Sequence, residues 1–438
     1  MTPRRISRRA ALAGLAAAAL HGATGYDGAF AQTSSGAVSD GDGHGPAPVF
    51  SQTGPNASYY GADEGYPIPS FLRAIWQGNP WPPKYRVGAF SHFDEIYRTR
   101  KVARAATPWT FKRAAPPEIN YRFRGQPSTL SDYLARNPVT GLLIARDDEI
   151  LFEHYQYGRT DHDRMLSQSM VKSIMGLLVG LAVADGAIKS VNDTAETYVP
   201  GFKGSEYGRT PIRDLLHMSS GVDFGEERDN NLDLDRLSRD MVIGLGPFRK
   251  GTIKSLTQFN HRIAPPGTRF YYASIEPDVL GQVVLAAVGK PLSEYLQEKI
   301  WQPIGTESDG TWFLDADGFE LPHMGFNAVV RDWARLARLL AHDGVWEGRQ
   351  VIPAQWMIDA TTVAPSDGYL APGKATPGFG YGYLFYLFPG SRRQFALLGF
   401  KGQRICIDPA AKLVMVHTAL EEGPEIWRLW AALTAQFG

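Results

Sequence analysis

From Ile174 to Ala184 the chain reads IMGLLVGLAVA and carries no charge. A helix that is apolar all round has to be buried in a core. The run is too short to cross a bilayer, which takes about 20 apolar residues, so it demands a sizeable globular body around it. Directly before it stand Ser169-Met170-Val171-Lys172. Residues three apart share a helix face, which sets a hydroxyl and an amine one turn from each other. A serine hydroxyl is a poor nucleophile at neutral pH, and a lysine kept neutral by burial or by a nearby cation can take its proton. Ser169 is therefore a candidate nucleophile and Lys172 its base. The bare spacing is common on solvated faces; the uncharged helix behind it gives it weight.

With 438 residues, 44% of them hydrophobic and 12% aromatic, the chain can bury a large core in one large domain or two interleaved ones. Its formal net charge is zero, which argues against nucleic acid or an anionic surface as partner. No CxxC, HExxH or Gly-rich phosphate loop occurs, so neither a structural zinc site, a zincin nor a nucleotide enzyme is expected. Cys406 is the only cysteine and reads as a small hydrophobe in a strand, with no intramolecular disulfide to form.

The N-terminus reads as an export signal. Basic residues end in Ser7-Arg8-Arg9, an apolar stretch runs from Ala10 to Leu20, and Ala29-Phe30-Ala31 offers a cleavage site before Gln32. The paired arginines suit the twin-arginine route, so residues 1–31 should be removed near Ala31 and the mature protein should be periplasmic or secreted, with no membrane span. Residues 32 to about 60 look like a linker, and the chain up to 126 is aromatic and proline-rich, a wrap over a domain surface. The segments Val139–Ala145 and Ile150–Tyr155 read as a β-hairpin. A mostly helical middle, about 187–365, follows. Strands return at Tyr381–Leu387, Phe395–Leu398, Gln403–Ile407 and Leu413–Thr418, and a helix from Ile426 to Ala435 closes the chain. Strands at both ends with helices between imply a sheet completed by distant segments, with a helical subdomain inserted. On this reading the catalytic domain spans 127–438.

A buried amine base needs a second group to relay the proton to the leaving group. Tyr272, in Pro265-Pro266-Gly267-Thr268-Arg269-Phe270-Tyr271-Tyr272-Ala273-Ser274, can supply it, since a Pro-Gly turn would fix a short loop carrying a phenol and, two residues on, a hydroxyl. At this point the chain resembles the serine β-lactamase and penicillin-binding-protein superfamily. Within it the resemblance is to the class C-like branch with 6-aminohexanoate-dimer hydrolases and related esterases. It is carried by SQSMVKSI around Ser169, IRDLLHMSSGVDF from Ile212 to Phe224, PPGTRFYYAS, and GQRICIDP from Gly402. These ordered stretches cover roughly residues 130 to 435.

The resemblance implies an α+β, β-lactamase/transpeptidase-like fold: an antiparallel sheet flanked by helices, with an inserted helical subdomain. It makes Ser169 the acylated nucleophile, Lys172 its partner base and Tyr272 the proton relay, with no metal or cofactor. The chain departs from the pattern twice. The usual Tyr-x-Asn ends in Ser274, which keeps a hydrogen-bonding group near the substrate. The Lys-Thr-Gly strand that binds a substrate carboxylate is replaced by Leu397-Leu398-Gly399-Phe400-Lys401-Gly402-Gln403. If Gly399 matches the motif glycine, the Phe400 N–H joins the Ser169 N–H as the oxyanion hole; alignment on Gly402 would use Gln403 instead. Lys401 either restores a cation near the substrate or faces solvent.

His217, in LLHMSSG, invites a Ser-His-Asp triad with Ser219 or Ser220, but no G-x-S-x-G elbow occurs, and His261 and His323 read as loop histidines. The expected reaction is acyl transfer to water from a small amide or ester. The competing hydrolytic readings are a β-lactamase or a D-Ala-D-Ala carboxypeptidase. A non-turnover penicillin-recognising sensor or a peptidoglycan-binding protein is the alternative of another class.

Overall fold

The computed structural model of the protein describes residues 53–62, 83–226, 232–243 and 250–438. The expected signal peptide lies outside these residues. The two ends of the chain meet in one eight-stranded sheet. Its strands are β1 (Lys112–Arg113), β2 (Val139–Arg146), β3 (Glu149–Tyr155), β4 (Gly380–Tyr381), β5 (Tyr386–Leu387), β6 (Phe395–Gly399), β7 (Gln403–Asp408) and β8 (Leu413–Ala419), in spatial order β4-β5-β6-β7-β8-β2-β3-β1. The join between the two ends is the antiparallel pairing of β8 with β2, from Leu413 opposite Arg146 to Ala419 opposite Val139.

Every residue from Val139 to Ala145 is buried, as a central strand covered on both faces requires. Side chains alternate along a strand, so Leu143 and Ala145 enter one core while Leu142 and Ile144 enter another. The larger core contains α1 (Val171–Ala184), α2 (Ile275–Val288) and α3 (Val330–Ala341). The smaller is closed by α4 (Glu425–Phe437), whose Ile426, Leu429, Trp430 and Leu433 recur at helical spacing on the face turned to the sheet. Among the described residues no helix is long and apolar enough to cross a membrane.

Helix α1 is the buried helix expected from its lack of charge. From Met165 to Ala182 every residue is buried except Ser169. Two glycines let neighbours reach its backbone. A Cβ on Gly176 would lie 2.6 Å from the Tyr383 carbonyl oxygen, and one on Gly180 would lie 2.4 Å from the Trp356 ring. Trp356 Nε1 donates to the Gly176 carbonyl at 3.2 Å.

The main sheet is antiparallel as expected, apart from β1, which lies parallel to β3 at its edge. Three finer expectations need correction. The middle of the chain is not simply helical: Gly310–Phe313 and Phe326–Ala328 form a second sheet with Thr99–Val102 and Met165–Leu166, and a small hairpin pairs Val345–Trp346 with Arg349–Gln350. Short strands of this kind are invisible to periodicity. Helix α3, inside the expected subdomain, shares the core of the main sheet through Trp333, Leu336 and Leu340. The strand expected over Tyr381–Leu387 is two short strands around a turn, in which the Gly382 N–H donates to the Phe385 carbonyl at 2.9 Å. The aromatic N-terminal region supplies strands to both sheets, and Arg86 ties it to the chain after β8 by donating to the Leu420 carbonyl at 2.9 Å.

Gly180→Ala should destabilise the protein by about 1–3 kcal/mol, because overpacking against Trp356 outweighs the gain in helix propensity. A thermal melt that moved upward would show that α1 and Trp356 can separate freely.

Candidate active site

Ser169 sits in a short 3-10 turn, Gln168–Met170, that runs into α1. Gln168 has a left-handed φ of 48°, uncommon for a residue with a side chain, and it turns the chain sharply just before the serine. Ser167 holds this turn to the second sheet: its N–H donates to the Phe326 carbonyl at 2.7 Å and its Oγ accepts from the Phe326 N–H at 3.1 Å.

Lys172 is 2% exposed. Its Nζ donates to Ser169 Oγ at 2.8 Å and to the His323 carbonyl at 2.8 Å. The ammonium group also lies 5.0 Å from the centre of the Tyr272 ring. Burial lowers the pKa of this amine to about 8, against the opposing pull of Glu226 and Asp278. Tyr272 is buried too. Burial, with the neighbouring Tyr386, Tyr381 and Glu226, pushes its phenol well above the ordinary value, and the nearby Ser169 side chain offsets part of this. The three residues picked from the sequence are thus brought together from α1 and from the loop before α2.

Strand β6 ends against the turn that carries Ser169. A Cβ on Gly399 would lie 2.4 Å from the Ser167 carbonyl oxygen and 3.1 Å from the Gln168 Cβ, so only glycine permits this approach. The turn Phe400–Gly402 starts there. Gln403 Nε2 donates to the Phe400 and Lys401 carbonyls at 3.3 and 3.2 Å, and His417 Nδ1 lies 2.7 Å from the Gly402 carbonyl. His417 is held neutral by burial, which pushes its pKa down to about 3; its Nδ1–H can therefore donate to Gly402 while Nε2 accepts from the Tyr133 hydroxyl at 2.8 Å. Lys401 is ion-paired with Glu421 and lies over the Phe400 ring at 5.0 Å. Ser274 is buried, with its hydroxyl donating to Glu226 at 2.6 Å and its N–H donating to the same carboxylate.

Two further groups belong to this cluster. Glu226 is fully buried, and burial raises its pKa to about 7 although Lys172 and the Ser274 bonds oppose it. Asp278, on α2, is paired with the His323 ring at 2.8 Å. Glu226 lies in the sequence GVDFGEERDNN, where a carboxylate reads as one member of a solvated loop. His217 is no triad member. Its ring stacks on Tyr383 at 4.8 Å, Ser219 Oγ donates to the Asp214 carbonyl at 3.1 Å, and Ser220 Oγ donates to Glu276 at 2.5 Å. His261 is exposed, 3.8 Å from Asp223. Cys406 is buried in β7. Among the described residues no three acidic, histidine or cysteine side chains are grouped to hold a metal ion.

A sheet flanked by helices, with an apolar helix presenting Ser-x-x-Lys at its edge, is a β-lactamase/transpeptidase-like arrangement. The sequence profile of the β-lactamase family matches residues 128–433, and the chain belongs to that family. A 6-aminohexanoate-dimer hydrolase of Paenarthrobacter ureafaciens is 26% identical over 384 residues, covering 86% of this chain and 94% of the relative. A solved structure from Bacillus anthracis, provisionally assigned as a 6-aminohexanoate-dimer hydrolase, superposes with a TM-score of 0.71 at 24% identity, over 81% of this chain and 93% of that one. A family VIII carboxylesterase shares the fold at a TM-score of 0.55 and 18% identity, over 68% of this chain and 93% of the other.

Gly399→Ala should leave a folded protein while lowering ester hydrolysis by about a hundredfold, since a displacement near 1 Å at a reacting centre has that effect. Near-normal kcat/KM in this variant would mean that the close approach of β6 to the serine turn is not needed.

Proposed function

We propose that the protein is a serine hydrolase that cleaves a small amide or ester through an acyl-serine intermediate. The observation that carries this reading is the 2.8 Å contact between Ser169 Oγ and the buried Lys172 Nζ, an amine whose pKa burial brings down to about 8. In this mechanism neutral Lys172 takes the Ser169 proton as Oγ attacks the substrate carbonyl. The N–H groups of Ser169 and Phe400 stabilise the oxyanion. Tyr272 passes the proton to the leaving amine or alkoxide, the acyl group stays on Ser169, and water releases it by the same steps in reverse. Gly399 brings the edge of the site close, while Ser274 and Lys401, each held by an acidic partner, shape its surroundings rather than grip a substrate carboxylate.

An amidase or esterase is favoured over a β-lactamase or carboxypeptidase because the end of β6 reads Leu397-Leu398-Gly399 in place of the Lys-Thr-Gly whose cation and hydroxyl would hold a carboxylate. The similarity to a 6-aminohexanoate-dimer hydrolase over most of the chain supports a linear amide as substrate. A pure binder would have no use for a proton relay. We also propose export through the N-terminal signal.

Ser169→Ala should lower turnover by on the order of a thousandfold or more, as a nucleophile and its base fail together. Mass spectrometry should find a fluorophosphonate adduct on wild type only, and labelling of the alanine variant would sink the assignment. Short-chain esters or a linear amide dimer should be cleaved at least about tenfold better than nitrocefin in kcat/KM, roughly 1.4 kcal/mol of transition-state binding. Nitrocefin turnover as fast as the best ester would reverse the preference.

A further inference from the structure

We propose that the N-terminal wrap completes the active site, with Arg86 as a positioning residue that acts through Glu421 on the Phe400–Gly402 turn and thereby on the Phe400 N–H proposed for the oxyanion. The inference rests on the acyl-serine reading and adds to it a part of the chain that lies before residues 128–433, the stretch matched by the β-lactamase family.

The turn needs support from outside itself. Lys401 has a left-handed φ of 60° and Gly402 one of 83°, and a residue with a side chain keeps that conformation only where its surroundings over-determine it. Gln403 and His417 hold the carbonyls of the turn. The N–H and the ammonium group of Lys401 are left to the segment that follows β8: the N–H donates to Glu422 Oε1 at 3.2 Å, and Nζ pairs with Glu421 Oε1. The two backbones touch as well, since a Cβ on Gly402 would lie 2.9 Å from the Glu421 carbonyl oxygen.

That segment is in turn pinned by Arg86. Its Nη1 donates to the Leu420 carbonyl at 2.9 Å and to Glu421 Oε2 at 2.6 Å, so the Glu421 carboxylate bridges Arg86 on one oxygen and Lys401 on the other. An exposed ion pair would hold little. The Arg86 side chain is only 7% exposed, however, and a guanidinium taken out of water needs partners that stay in place. Two pieces of the wrap fix it there. Arg86 opens a helix, Arg86–Ser91, whose Val87 and Phe90 are buried. Its guanidinium lies 5.8 Å from the centre of the Tyr60 ring, and the Val87 N–H donates to the Tyr60 carbonyl at 3.2 Å. Tyr60 packs edge-on against Tyr157 at 6.3 Å, and the Tyr157 hydroxyl donates to the Pro55 carbonyl at 2.7 Å.

Turnover per active site tests the link. Ser169 is titrated to completion with a fluorophosphonate, so that kcat for a p-nitrophenyl ester counts only folded sites and a loss of stability alone leaves it unchanged. Arg86→Met keeps an apolar stem and removes the donors. It should lower kcat per site by about tenfold or more with KM within about twofold of wild type, because a misplaced oxyanion donor is felt in the transition state and little in the bound ester. Glu421→Gln keeps the shape of the bridge without its charge and should show the same pattern. The double variant should lose no more than the worse of the two single variants, since both act through one contact. An unchanged per-site kcat in Arg86→Met, a loss carried by KM alone, or losses that multiply in the double variant would overturn the proposal. If Arg86→Met does not fold, Glu421→Gln decides: a per-site loss in kcat supports the link, and an unchanged kcat sinks it. Wild type that forms no Ser169 adduct would instead defeat the acyl-serine reading, and this inference with it.

Discussion

The burial of one amine governs this structure. Lys172 points its Nζ at Ser169 from the first turn of a helix that is enclosed on every side, and water is replaced by a serine hydroxyl, a backbone carbonyl and an aromatic ring. An ammonium group in such surroundings loses hydration that a few contacts replace only in part, so its proton is held less tightly than in solution. The same enclosure would be a defect in a protein that only needed to fold. Two carboxylates, Glu226 and Asp278, act on the amine, and neither makes a described ion pair with it. The position is thus left poised between charged and neutral forms.

Keeping that amine dry takes most of the fold. Helix α1 has to be packed on all faces, which requires α2 on one side, the sheet on another, and the Trp356 and Tyr383 contacts that Gly176 and Gly180 admit. The sheet in turn exists only because β8, near the C-terminus, pairs with β2, far earlier in the chain. The site then sits where three separately built pieces abut: the turn before α1, the Tyr272 loop before α2, and the end of β6. Gly399 sets how closely the last can approach the first. Ser169 is the one partly exposed residue in a segment otherwise closed, as the nucleophile proposed for an external substrate would have to be.

Much of this was legible in the residues alone. The lack of charge from Ile174 to Ala184 implies burial, because no surface could hold such a helix, and the three-residue step from Ser169 to Lys172 fixes their mutual reach whatever surrounds them. Alternating or continuous apolar runs marked β2, β3, β6, β7 and β8, since pairing and burial leave a direct trace in strand composition. Tyr272 could be named only through ordered motifs that resemble a known superfamily, as a single tyrosine has no local signature.

Other features depended on contacts between distant segments. The second sheet is made of strands two to four residues long, too short for a period to register. Glu226 looks like any acid in a polar loop, and its burial and its bonds to Ser274 exist only once the chain has folded it inward. Ser274 and Lys401 bear the polar groups expected near a substrate, yet their partners, Glu226 and Glu421, lie about fifty and twenty positions away and claim those groups first. Local sequence thus determines which groups a segment carries and the faces it presents. Desolvation and pairing, which decide what those groups can do, are properties of the assembled neighbourhood and exist only once the chain has closed around them.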